Sequence, residues 1–316
     1  KALDHDELLG SVYDATDLDQ GRRVSVKVLH PHLVEDREKF KRFAREITNT
    51  WMVSQENTVE VLDWGDDGDA HFLVLEHLFA HTLASEIERG PLAPERVARI
   101  ATQIARAIGA AHQEGIVHRA LTPENVLLLE NTDGDFVKVR DFGLSKLEKL
   151  EEEETKLTTQ GTRVGNAEYM APEYIKTSQY HMKGDLYALG ALMFHMLTGA
   201  PPFTGAMMDV LSAHVDDEPV APSTRAEVPA WLDALVLELL VKKPEERPGA
   251  YRVVQRLQTG MGDQLEPPPL LPVDADGNVI RPSGPPIVAI ALGVTLLAGV
   301  PPVRVLFTFN MSTLYV

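Results

Sequence analysis

The chain contains no cysteine, and this absence removes several classes of function at once. Disulfide scaffolds, thiol catalysis and cysteine-based zinc sites are all excluded. Basic residues are also scarce, because 30 lysines and arginines stand against 47 acidic residues and give a net charge of −17. A chain with this charge repels polyanions, so we expect no nucleic acid partner.

The first part of the chain is rich in β-strand signals. Residues 11–29 contain two β-rich runs on either side of a turn signal at 19–21, which predicts a hairpin. Residues 35–52 follow a helical pattern, and two further strand-like runs at 59–64 and 71–76 are separated by the turn GDDGD. The order of two strands, one helix and two strands is typical of a small β-rich unit.

The second part of the chain is mainly helical. The segment from Pro94 to Gly115 has apolar residues at helical spacing and predicts an amphipathic helix that ends at Gly115. Apolar helices are also predicted over 185–198 and 230–241. The chain has 316 residues, enough for one two-lobed domain and a tail.

The tail differs in composition from the rest of the chain. Residues 265–286 are rich in proline and predict a stiff linker. Residues 287–303 begin with an apolar run and are interpreted first as a single transmembrane helix, although the run is short for a bilayer. The alternative is an apolar tail that packs elsewhere. No pattern could be interpreted in residues 304–316.

Several short motifs follow one another in a fixed order. VSVKVL contains Lys27, FAREI contains Glu46, and HRALTPEN spans 118–125. RDFG then contains Asp141, and YMAPE contains Glu173. This ordered set, over about residues 5–258, resembles the eukaryotic-like (bacterial-type) Ser/Thr protein kinases, whose catalytic loop reads H-R-D-x-K-P-E-N. The resemblance implies an α+β, bilobal kinase-like fold with a small β-rich N-lobe holding one key helix and a large, mainly helical C-lobe.

The resemblance also implies a set of site residues. Lys27 would hold the phosphates of ATP and pair with Glu46, while Asn125 and Asp141 would hold Mg²⁺. The residues expected to bind the nucleotide are Gly10, Val12, Lys27, Leu75, Glu76, Leu78 and Leu127. Two further expectations concern the large lobe: Asp185 anchors the catalytic loop, and Glu173 pairs with Arg247.

The catalytic loop departs from the family pattern where it would meet the reacting hydroxyl. Ala120 stands at the position of the catalytic aspartate, and Thr122 at the position of the lysine. Asn166 stands where these kinases usually have a threonine that contacts both. Since one carboxylate normally orients the incoming hydroxyl and takes its proton, these joint changes predict impaired phosphotransfer.

The phosphate-covering loop departs as well. The three glycine positions of its pattern align with His5, Glu7 and Gly10, so only the last glycine remains. Glycines at these positions let backbone N–H groups approach phosphate, and Glu7 would add a charge of the same sign as the phosphates. We therefore expect weakened binding of ATP and Mg²⁺.

These observations lead to three hypotheses. The first is a pseudokinase that regulates or scaffolds an active protein kinase or another signalling protein. The alternatives are a slow Ser/Thr kinase and a membrane-tethered adaptor without nucleotide. We expect an N-lobe over 1–78 with a truncated start, a C-lobe over 79–264, and a cytoplasmic kinase domain anchored by one span. Within 141–173, several threonines could accept a phosphate that Arg119 would bind, although a mobile solvated loop is favoured.

Overall fold

The computed structural model describes residues 2–6, 10–18, 20–30, 55–67, 70–131, 134–142 and 167–262. The predicted helix over 35–52, Glu46, Glu7, Asn166 and the tail from 265 onward lie outside these ranges. Among the described residues, no helix combines the length and the apolar character that a bilayer crossing requires.

A five-stranded antiparallel sheet forms the small lobe, as the strand signals predict. Its strands are β1 (Ala2–Asp6), β2 (Gly10–Asp17), β3 (Arg22–Leu29), β4 (Val61–Asp67) and β5 (Ala70–Glu76). They are hydrogen-bonded in the order β1-β2-β3-β5-β4. Alternate side chains of β3 pack inward, so Val24 and Val26 form a small apolar core with Val74.

Two hairpins of this sheet, β2–β3 and β4–β5, test the predicted turns. The hairpin over 11–29 is confirmed, because β2 pairs with β3 and the N–H of Gly21 donates to the carbonyl of Asp17 at 2.8 Å. The GDDGD turn is wrong in its extent. Gly65 pairs with Phe72 and Asp67 pairs with Ala70, so only two residues connect the strands. A two-residue loop suits the twist of an antiparallel pair, and the strands therefore extend into the predicted turn.

The large lobe is mainly helical, with a small three-stranded sheet at its upper edge. The sheet contains β6 (His81–Thr82), β7 (Val126–Asn131) and β8 (Gly134–Val139), hydrogen-bonded in that order. The helices are α1 (Leu83–Ile87), α2 (Pro94–Gln113), α3 (Pro172–Thr177), α4 (Met182–Thr198), α5 (Met207–Asp216), α6 (Ala230–Leu239) and α7 (Ala250–Met261). The three helices predicted from periodicity correspond to α2, α4 and α6, within a few residues at their ends.

Helix α4 forms the centre of the large lobe. Its buried residues surround the helix from Asp185 onward, whereas α2 buries one face that includes Ile100, Ile104 and Ile108. Gly190 allows a close approach to α6, because a Cβ atom there would lie 2.7 Å from the Cβ of Leu239. The buried part of α4 begins at Asp185, in the first turn of the helix.

Candidate functional site: the cleft between the lobes

Asp185, in the first turn of α4, holds the catalytic-like loop in place. Its carboxylate is 3% exposed and accepts hydrogen bonds from the backbone N–H groups of His118 and Arg119, both at 2.9 Å. The ring of His112 lies 2.8 Å from the same carboxylate. The expectation that Asp185 anchors this loop is therefore confirmed, and a buried charge with three partners is well satisfied.

His118 connects the loop to the segment that follows β8. Its Nε2 lies 3.0 Å from the carbonyl oxygen of Arg140, and its Nδ1 accepts from the N–H of Ala120 at 3.3 Å. One ring nitrogen donates and the other accepts, which assigns a neutral imidazole with its hydrogen on Nε2. Burial lowers the pKa of His118 and keeps the ring neutral. The ring also packs against Phe142, with centroids 4.6 Å apart.

Ala120 therefore lies in an ordered loop. Arg119 has a left-handed φ of 72°, a strained conformation that the surrounding hydrogen bonds maintain. The carbonyl oxygen of Ala120 accepts from the side-chain amide of Asn125 at 2.9 Å. Hydrogen bonds thus hold the backbone of this loop in place, while the side chain of Ala120 at its centre is only a methyl group.

Lys27 extends from β3 into the cleft and meets Asp141. The side chain of Lys27 is 2% exposed, and its Nζ lies 3.1 Å from Oδ1 of Asp141. Its predicted partner Glu46 is outside the described residues, so that pairing stays a prediction. Burial by itself would raise the pKa of Asp141, but the charges of Lys27 and Arg140 outweigh burial, so the pKa lies below its ordinary value. The carboxylate is ionised at neutral pH.

The two predicted metal ligands come together around an arginine. Nε of Arg140 lies 3.3 Å from Oδ1 of Asn125 and 3.6 Å from Oδ2 of Asp141. An amide oxygen and a carboxylate oxygen are ligands that suit Mg²⁺. Here, however, both oxygens face the guanidinium of Arg140. In this arrangement the residues do not fit an open Mg²⁺ site.

The predicted nucleotide-binding residues lie on the strands that border the cleft. Gly10 and Val12 are on β2, where Val12 pairs with Lys27 across the ladder. Leu75 and Glu76 end β5, Leu78 follows them, and Leu127 lies on β7. The carboxylate of Glu76 already has hydrogen-bond partners within the protein, because it accepts from Lys138 at 2.7 Å and from the N–H of Glu60 at 2.8 Å.

Gly10, the one glycine that remains of the phosphate-loop pattern, has a structural reason to be glycine. Its φ is 152°, and a Cβ atom there would lie 2.0 Å from the carbonyl oxygen of Val28. The close approach of β2 and β3 therefore explains why this residue is glycine. The presence of Gly10 is for that reason only weak support for phosphate binding. His5 lies on β1, opposite Ser11 of β2.

The large lobe contains the predicted ion pair between Glu173 and Arg247. The guanidinium, in a residue 2% exposed, donates to the two carboxylate oxygens at 2.7 and 2.8 Å.

Below the loop, Arg119 lies over the ring of Tyr180 at 5.6 Å, and its Nε has no hydrogen-bond partner within the described part of the chain. Its predicted phosphate partner belongs to a segment outside that part.

Arg140 and Lys138 were missed from the sequence. The RDFG motif indicates a role for Asp141 and none for the arginine before it. The only available signal was a pair of basic residues, at alternate positions, at the buried end of a strand that leads into Asp141. Such a charge needs a nearby partner, and the sequence does not name one.

A lysine on the small lobe, a carboxylate after β8 and a loop anchored by a buried aspartate define a cleft of the protein kinase type. A model of the protein kinase domain family matches residues 8–257. The chain belongs to this family.

Curated relatives include a probable serine/threonine-protein kinase of Clostridium acetobutylicum, 34% identical over 239 residues, which cover 75% of this chain and 35% of the relative. The kinase PknB of Mycolicibacterium smegmatis is 35% identical over 246 residues, covering 76% and 39%. Serine/threonine-protein kinase pkn3 of Myxococcus xanthus is 34% identical over 249 residues, covering 77% and 46%. The chain thus spans less than half the length of these relatives.

A solved structure of the PknI kinase domain of Mycobacterium tuberculosis, a double mutant, has a similar fold. The TM-score is 0.63, with 22% sequence identity, and the match covers 82% of this chain and 93% of that one. At this identity the likeness concerns the fold alone. It agrees with the predicted α+β architecture of a β-sheet lobe and a helical lobe.

Proposed function

We propose that this chain is a kinase domain with impaired phosphotransfer that acts as a regulatory or scaffolding module for another signalling protein, such as an active protein kinase. The observation that carries the proposal is Ala120 within a loop that is otherwise held in place by Asp185 and His118. If the sequence of this loop had changed at random, these anchoring contacts would be expected to be lost as well. Within this loop the changes fall at Ala120 and Thr122, the two positions that would face the reacting hydroxyl, and the anchoring contacts remain.

The size of the expected deficit follows from the missing groups. A general base contributes about 10²–10⁴-fold to a rate. Ala120 offers no proton acceptor, and Thr122, which is 8% exposed, offers no positive charge for the transferring phosphate. The five residues at 119–123 include no carboxylate that could replace the aspartate.

Nucleotide binding is part of the proposal, because the charged residues of the cleft are retained. Lys27 and Asp141 form a buried ion pair, and Arg140 connects Asp141 to Asn125. Burying these charged groups costs free energy. Binding of a polyphosphate ligand would explain why the protein retains them. The loss of two loop glycines argues that the affinity for ATP is low.

The test is transfer of labelled γ-phosphate from Mg-ATP by the full chain, to itself and to a generic protein substrate. The blank is the Asp141→Asn variant. We expect no transfer above this blank, and Ala120→Asp should restore little, because Thr122 and Asn166 remain changed. Ala120→Asn is the matched control, since it adds similar volume without a base.

A second candidate is a slow but active Ser/Thr kinase. It is favoured by the same retention of Lys27, Asn125 and Asp141. Transfer by the wild type above the blank would support it and would overturn the impaired-kinase proposal. Full activity from Ala120→Asp alone would show that the other changes matter little.

A further inference from the structure

Arg140 lies between the two segments from which a kinase would take its metal ligands. It follows β8 directly, and its N–H donates to the backbone carbonyl of Asn125 at 3.0 Å. Its own carbonyl accepts from His118. The backbone of Arg140 is therefore tied on both sides, and its side chain starts from a fixed point.

The guanidinium is directed at both candidate ligand oxygens. Nε lies 3.3 Å from Oδ1 of Asn125, within hydrogen-bond distance, and 3.6 Å from Oδ2 of Asp141. The other oxygen of Asp141 is held by Lys27 at 3.1 Å. Both oxygens of the carboxylate and the oxygen of the amide thus have a cationic neighbour supplied by the chain itself.

A divalent cation would compete with this arrangement for the same oxygens. Mg²⁺ binds oxygen at about 2.0–2.1 Å and needs a nearly ideal octahedron. A guanidinium stays charged at any accessible pH, so it cannot relieve the repulsion by losing a proton. Arg140 would have to leave both oxygens before a metal ion could bind them.

Lys27 and Arg140 together already supply positive charge that a polyphosphate requires. Lys27 and Arg140 place two cationic groups within 4 Å of the Asp141 carboxylate. Arginine also binds phosphate oxygens through a planar fork of donors. The chain thus carries, covalently attached, a cation that can serve in place of a metal ion.

We propose that the cleft binds a nucleoside polyphosphate without a divalent cation, with the guanidinium of Arg140 occupying the place between Asn125 and Asp141 that a metal ion would need. This inference rests on the proposed nucleotide-binding function. It names the binding mode of that same site.

The test is a calorimetric titration of the full chain with ATP, once in excess EDTA and once in excess MgCl₂. We expect the affinity in EDTA to equal or exceed that in MgCl₂. Binding that needs MgCl₂ would overturn this inference while supporting a nucleotide site. If ATP neither binds nor shifts the melting temperature in either buffer, nucleotide binding fails and the inference fails with it.

The Arg140→Met variant assigns the effect to a residue, because methionine keeps much of the stem and removes the charge. We expect its affinity for ATP in EDTA to fall by about tenfold or more, as for one lost hydrogen bond to a charged group. MgCl₂ should then improve its binding. Unchanged affinity in EDTA would overturn the role of Arg140. The matched control is Arg106→Met on α2, whose side chain is 41% exposed and should not affect binding. The comparison of buffers on the wild type decides the main question even if a variant does not fold.

Discussion

His214 on α5 is a titratable residue buried in the large lobe. It is fully buried, its Nδ1 lies 2.7 Å from the hydroxyl of Tyr187, and its ring packs edge-on against Phe203. Burial, together with the charge of Lys242, lowers its pKa to about 4. The folded protein therefore holds this histidine neutral far below the pH at which a free histidine takes up a proton.

This pKa predicts a loss of stability in acid. In the unfolded chain His214 has its ordinary pKa of 6.5, so between pH 6.5 and about 4 the unfolded state binds the extra proton. The free energy of unfolding should fall across this range by roughly 3 kcal/mol on account of this group. His214→Gln keeps an acceptor for Tyr187 but does not titrate. Urea unfolding of both proteins at pH 7, 5.5 and 4 checks the prediction, which fails if the two curves run parallel.

The strained residues of the cleft show how single positions depend on their surroundings. Arg119 and Asp141 both adopt left-handed φ angles, of 72° and 64°, although neither is glycine. The backbone N–H of Arg119 donates to the carboxylate of Asp185, and the carboxylate of Asp141 accepts from Lys27. Strain of this kind persists where neighbouring contacts over-determine the backbone, and it is typical of functional clefts.

At the scale of elements, one ion pair joins parts of the large lobe that are far apart in sequence. Glu173 lies in the first turn of α3, and Arg247 follows the short turn before α7. The guanidinium also donates to the carbonyls of Val241 and Lys183, at 2.7 and 2.9 Å. Helix α3, the start of α4 and the connection between α6 and α7 are thus held by one side chain.

Removal of Arg247 should therefore destabilise the whole lobe. Arg247→Met leaves the Glu173 carboxylate without its partner, and breaking a buried pair in this way costs about 3–5 kcal/mol. Chemical unfolding measures the loss. The control is Lys243→Met, which breaks the exposed contact with Glu246 and should change the stability little. Equal effects of the two variants would contradict the argument.

The elements themselves were predicted with uneven success. Helix α2 and the β2–β3 hairpin followed from periodicity and turn residues, because one face of each is buried and the pattern is strong. The β4–β5 turn was placed too widely, since glycine and aspartate often mark turns but here continue into the ladder as far as Asp67. The helix over 35–52 stays a prediction.

At the scale of the whole molecule, the tail raises the question of membrane attachment. The interpretation of 287–303 as a span stays a prediction. If it is correct, the full chain should remain with the membrane fraction after an alkaline carbonate wash. Val294→Asp should release much of it, since a carboxylate near a helix centre costs about 2.5–3.5 kcal/mol of insertion. Val294→Leu is the matched control. Extraction of the wild type by carbonate would favour the alternative of an apolar tail that packs elsewhere.

The sequence by itself determined the family and predicted which residues belong to the cleft, with Ala120 at the position of the catalytic aspartate. These follow from ordered motifs and local periodicity, which are properties of neighbouring residues. Only the tertiary structure brought Lys27 to Asp141, 114 positions away, and turned Arg140 toward Asn125. Such contacts depend on how strands from both lobes meet, because electrostatic partners are chosen by distance in space. The occupation of the metal-ligand oxygens by an arginine is therefore a property of the folded cleft.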